Sequence, residues 1–71
     1  MMATIDGAIL KTIEDGKHYT INTIRERFPA HYAGGRVPKS TMWYHLLKLS
    51  RENMIRAIHD GSRVLYVRVQ R

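Results

Sequence analysis

The chain has 71 residues, no cysteine, and 12 Lys+Arg against 6 Asp+Glu, for a net charge of +6. That length fits one small domain over residues 1–71 with a thin core, and the lack of cysteine excludes disulfides, thiolate metal sites and a thiol nucleophile. No apolar run approaches the ~18 residues a membrane span needs, and no basic stretch followed by an apolar block marks a signal peptide, so an intracellular protein, cytoplasmic or nucleoid-associated, is expected.

Residues 4–15, TIDGAILKTIED, place Ile5, Ile9, Leu10 and Ile13 at helical spacing. Thr4 is a candidate cap, Asp6 suits the first turn, and Gly16 suits the stop. KHYT follows as a short extended link in which Tyr19 is expected to point inward. Residues 20–28, TINTIRERF, predict a second helix capped by Thr20, with Ile21, Ile24 and Phe28 on one side. Pro29 ends it, because proline disfavours helical geometry in the residue before it. Residues 29–37, PAHYAGGRV, read as a loop with Gly34-Gly35 as its turn signal.

Pro38 fits the first turn of a third helix over 38–53, and Asn53 fits a left-handed stop. Residues 54–59 and 63–70 are two β-rich runs around HDGSR, with Asp60-Gly61 as the hairpin signal. In the second run Leu65, Val67 and Val69 form a fully apolar face. That face is expected to close the core beneath the helices, with the run 63–70 as an edge strand guarded by Arg68 and Arg71. The fold class is α+β: three helices, then a C-terminal β-hairpin.

The charge is unevenly spread. Residues 1–35 hold four Lys/Arg against four Asp/Glu, whereas residues 36–71 hold eight against two. A neutral scaffold with a basic working half suits a polyanion binder, since each cation near a phosphate releases condensed counterions. On a helical wheel at about 100° per residue, Met42, Leu46 and Leu49 form the buried stripe of the third helix. Ser40, Tyr44, Leu47, Lys48 and Arg51 lie opposite, flanked by Thr41 and Trp43. Ser40, Thr41 and Tyr44 lie nearest the helix start and suit base reading, whereas Lys39, Lys48 and Arg51 suit phosphates or bases. Trp43 sits between packing and contact. His45 is placed at the core boundary as a packing or hydrogen-bonding residue.

The stretch KSTMWYHLLKLSRENMIRAIHDGSRVLYVRV resembles the recognition helix and wing of winged helix-turn-helix DNA-binding domains. ILKTIEDGKHYTINTIRERF looks like the first helix, short first strand and second helix of that family. The resemblance implies that Ser40, Thr41, Trp43, Tyr44 and Lys48 face the major groove. It implies that Arg56, His59, Ser62 and Arg63 contact the minor groove or flanking phosphates. Asn53 stands where a glycine usually ends the helix. The 29–37 connection is longer than the family's tight turn, and with His31, Tyr32 and Arg36 it offers an added contact.

Other chemistry is sparse. His18, His31, His45 and His59 lack the spacings of common metal sites, Gly34-Gly35 is no phosphate loop, and no carboxylate pair suggests catalysis. No cofactor and no small-molecule effector is expected. Double-stranded DNA is the expected partner, bound by a small transcriptional regulator. A homodimer, natural for two-fold sites, is left open. Two alternatives stand: a winged-helix protein–protein module anchored by Trp43, Tyr44 and Leu47, and an RNA or single-strand binder that stacks bases on the aromatics.

Overall fold

A computed structural model describes residues 5–28 and 37–70. Three helices, α1 (Ile5–Thr12), α2 (Ile21–Arg27) and α3 (Lys39–Arg51), precede an antiparallel hairpin of β1 (Ile55–Asp60) and β2 (Arg63–Arg68). This small α+β domain has the element order expected of a winged helix. No helix among the described residues is long and apolar enough to cross a membrane.

The first helix is shorter than its apolar spacing suggests. Beyond Thr12 the chain tightens, with Glu14 N–H donating to the Lys11 carbonyl and Gly16 N–H to the Ile13 carbonyl. Gly16 then takes a φ of 78°, which ends the element. Ile13 lies past the helix and is still fully buried. Thr20 caps α2 as expected, its hydroxyl accepting from the Thr23 N–H at 3.3 Å. Phe28 leaves the helix at φ −63°, ψ 135°, the extended geometry that a following proline imposes. Pro38 stands just outside α3 as its N-cap, so the helix runs from Lys39 to Arg51, one residue later at its start and two residues shorter at its end than the expected 38–53.

The end of α3 is tightly built. Asn53 sits at φ 60°. Its N–H donates to the Ser50 carbonyl and that of Met54 to the Leu49 carbonyl, the paired bonds of a Schellman cap. Asparagine tolerates this left-handed position better than other non-glycine residues. The turn delivers Ile55 into the core at 2% exposure.

Three sequence expectations for the hairpin are corrected. The loop is Gly61-Ser62, one residue later than the Asp60-Gly61 signal, because Asp60 pairs with Arg63. Gly61 has a φ of 63° and Ser62 is not in that region, the pattern of a type II′ turn. Secondly, the core-facing side is not Leu65, Val67 and Val69. Ile55 and Tyr66 are buried, with Ala57 and Val64 packed against the core, and Leu65 and Val67 fall on the other face. Strand side chains alternate, so the seating of Ile55 commits Ala57 and its partner Tyr66 to the core. Thirdly, β2 is not the open edge. Tyr19 and Tyr66 exchange backbone hydrogen bonds of 2.9 and 2.7 Å, so among the described residues the unpaired edge belongs to β1.

The core gathers Ile9, Ile13, Tyr19, Ile24, Phe28, Val37, Met42, Leu46, Leu49, Ile55 and Tyr66. Polar ties bind the elements around it. The Tyr19 hydroxyl donates to Asp15 at 2.6 Å, under the Arg27 guanidinium 5.1 Å from the ring centre. That hydrogen bond holds the Asp15 carboxyl below and the Tyr19 phenol above their ordinary values. Arg25 donates to the Val37 carbonyl at 3.1 Å, fastening α2 to the start of α3. Arg68 reaches the Leu10 carbonyl at 3.4 Å.

Leu46 is 0% exposed, so Leu46→Ala is expected to cost about 2–5 kcal/mol in urea unfolding. Asn53→Ala is expected to cost about 1 kcal/mol, because alanine lacks asparagine's tolerance of the left-handed region.

Candidate nucleic-acid interface

The start of α3, the start of α2 and the hairpin tip converge on an open cleft of about 750 Å³. Lys39, Ser40 and Trp43 line it from α3, Ser62, Arg63, Val64 and Tyr66 from the hairpin, and Thr20, Ile21 and Asn22 from α2. No carboxylate is among the lining residues. The hairpin reaches α3 because its core-facing residues pin it beneath the helix, leaving the tip beside the first turns. Lys39, Ser40, Ser62 and Arg63 are all exposed, so their donors can reach a ligand.

Trp43 is 53% exposed, and its ring stands between this cleft and a second groove of about 230 Å³. That groove is lined by Leu46, Leu47, Ser50, Ala57, His59 and Val64 as well as Trp43 and Tyr66. Leu47 therefore lies against the hairpin, half-buried, rather than on the outer face where the wheel put it. Tyr44 remains on that outer face, 59% exposed, edge-to-face with His45 at a centroid distance of 5.5 Å. Arg51 is exposed beyond it and Thr41 is half-buried.

The remaining candidates separate from this group. Lys48 points toward α1, where its ammonium sits 2.7 Å from Asp6. His45 Nδ1 lies 2.8 Å from the other oxygen of the same carboxylate. Burial opposes the charge on Asp6, and the hydrogen bonds from Lys48 and His45 outweigh it, so its carboxyl sits below the ordinary 3.8. The Asp6 hydrogen bond likewise raises the Lys48 ammonium above 10.5. Arg56 pairs with Val67 and so lies on the hairpin face turned away from α3. His59 lines the second groove rather than the cleft. Arg63 holds Asp60 at 3.2 Å, an exposed pair of little energetic weight. Arg36, His31 and Tyr32, with the whole stretch 29–36, lie outside the described residues.

Sequence reasoning assembled Lys39, Ser40, Trp43, Ser62 and Arg63 and missed Thr20, Ile21 and Asn22. Their only local signal was the helix start, and their place in the cleft follows from the Tyr19–Tyr66 bridge. Asp6 was missed as well, because its partner His45 is 39 residues away. Among the described residues no group of three or more His, Cys, Asp or Glu is arranged to hold a metal. The sequence matches no protein-family model and no curated protein.

The lowered Asp6 carboxyl has a consequence in acid. A group whose folded value lies below its unfolded one stabilises the fold above the unfolded value, and that contribution fades as the pH falls through the folded one. Asp6→Asn is thus expected to be less stable than wild type at neutral pH. The difference is expected to close as the pH drops below 3.8, read by denaturant unfolding across an acid series.

Proposed function

We propose that this chain is a winged-helix duplex-DNA binder, acting as a small sequence-specific transcriptional regulator. The observation that carries this reading is the carboxylate-free cleft between α3 and the hairpin tip. A helix in the major groove and a hairpin tip in the adjacent minor groove are separated by one sugar–phosphate strand. The space between them must therefore accept phosphates. Lys39, Ser40, Asn22, Ser62 and Arg63 offer donors of the kind that hold a phosphate backbone.

Ser40 and Tyr44 lie on the outer side of α3 near its start, where helix-turn-helix readers approach base edges. The formal charge of +6 supports the sequence-independent part of the affinity. The resemblance of α3 and the hairpin to a recognition helix and wing supports the same docking. The exposure of both Trp43 and Tyr44 favours one second reading, single-strand binding by base stacking.

Selection of bound sequences from a random duplex pool tests the reading, with single strands as competitors. A duplex preference with a recurrent sequence is expected. Retention of single strands over duplexes selects the second reading, and no retention of either overturns both. Lys39→Ala and Arg63→Ala are each expected to weaken duplex binding evenly across sequences. Each is expected to flatten the slope of log affinity against log salt by about 1, measured by fluorescence anisotropy.

A further inference from the structure

We infer that Asp6 governs how strongly the interface holds phosphate: the carboxylate on the first turn of α1 occupies the Lys48 ammonium and withholds it from the polyanion. This inference rests on the nucleic-acid reading above and concerns the control of that same surface.

The geometry is specific. Lys48 lies in the last turn of α3, as Arg51 does, with Lys39 at the opposite end of the helix. Its side chain is 42% exposed, so it stands at the border of the outer face that Tyr44 and Arg51 occupy. The Asp6 side chain is only 24% exposed, and both its oxygens are engaged, one by Lys48 and one by His45. His45 thus fixes the carboxylate so that it cannot swing away when a phosphate approaches. A phosphate that recruited Lys48 would break a 2.7 Å pair and leave the Asp6 charge facing it. Asp6 is the acid that α1 contributes to this flank.

Sequence-independent affinity scales with the number of phosphates neutralised, whereas discrimination depends on base-edge contacts. Tying up one lysine of the last turn lowers the first term and leaves Ser40 and Tyr44 untouched. Specific and non-specific complexes lose that phosphate contact alike, so the affinity of both falls and the ratio between them is kept. Asp6 thus sets the overall strength and the salt dependence of binding without touching the ligand.

The test uses the full chain and a labelled random-sequence duplex in fluorescence anisotropy across a salt series. Asp6→Asn removes the charge and leaves one acceptor oxygen where Asp6 presents two, enough for Lys48 or His45 but not for both. It is expected to bind several-fold tighter at low salt, with a slope of log affinity against log salt steeper by about 0.9, one added phosphate contact. Lys48→Met is expected to be silent in the wild-type background and to cancel the gain in the Asp6→Asn background, a double-mutant cycle. An unchanged slope in Asp6→Asn, with wild type binding normally, overturns the inference and leaves the nucleic-acid reading standing. So does a wild-type slope that flattens by about 0.9 on Lys48→Met, because Lys48 would then already engage phosphate. Absence of duplex binding by wild type and both variants overturns the two together. Should Asp6→Asn fail to fold by circular dichroism, Lys48→Met in the wild-type background decides alone.

Discussion

The left-handed turn at Asn53 governs the arrangement of the whole second half. It closes α3 with two paired backbone hydrogen bonds and sets the direction in which the chain departs. Ile55 follows at once and is driven into the core. Side-chain alternation then leaves no further choice: Ala57 follows Ile55 inward, and the register brings Tyr66 and Val64 to the same side. A shift of one residue would turn every hairpin side chain to the opposite face. With the face decided, the Gly61-Ser62 tip is carried alongside the start of α3, and the cleft exists. The Tyr19–Tyr66 bridge then draws in the start of α2 as the third wall.

Charge is segregated along the chain but is rearranged in space. The basic second half spends Lys48 on Asp6 and Arg68 on the Leu10 carbonyl, both in α1. The neutral first half spends Arg25 and Arg27 on internal ties. The cations left to act outward along α3 and at the cleft are Lys39 and Arg51, with Arg63 held only by its exposed pair with Asp60. The surplus of +6 is therefore a statement about the long-range field, whereas the working cations follow from which basic residues already have partners.

Much of the fold was legible because a helix repeats its contacts. Ile9, Ile24, Met42, Leu46 and Leu49 recur at helical spacing, and each is buried. The Thr20 cap was legible for a similar reason, since a hydroxyl before an apolar run has one nearby N–H to satisfy. The hairpin was harder because both its faces are rich in apolar residues. Leu65 and Val67 made the cleaner stripe, yet Tyr66 offered the larger ring and a backbone partner in Tyr19. Local pattern cannot weigh that distant partner. The cleft was half legible: its α3 and tip residues lie in the recognisable stretch, whereas Thr20 to Asn22 join it only through tertiary pairing. The Asp6–His45–Lys48 cluster was invisible for the same reason, because it spans α1 and α3.

Trp43 is the single tryptophan of the chain, and it stands with about half its surface in water at the boundary of the cleft and the neighbouring groove. The protein therefore carries its own optical label at the place where a ligand would seat. Indole emission responds to the polarity and mobility of its surroundings, and no second indole dilutes the signal. Occupation of the cleft, or a change in the spacing between helix and hairpin, would register as a shift in colour or intensity of the unmodified chain.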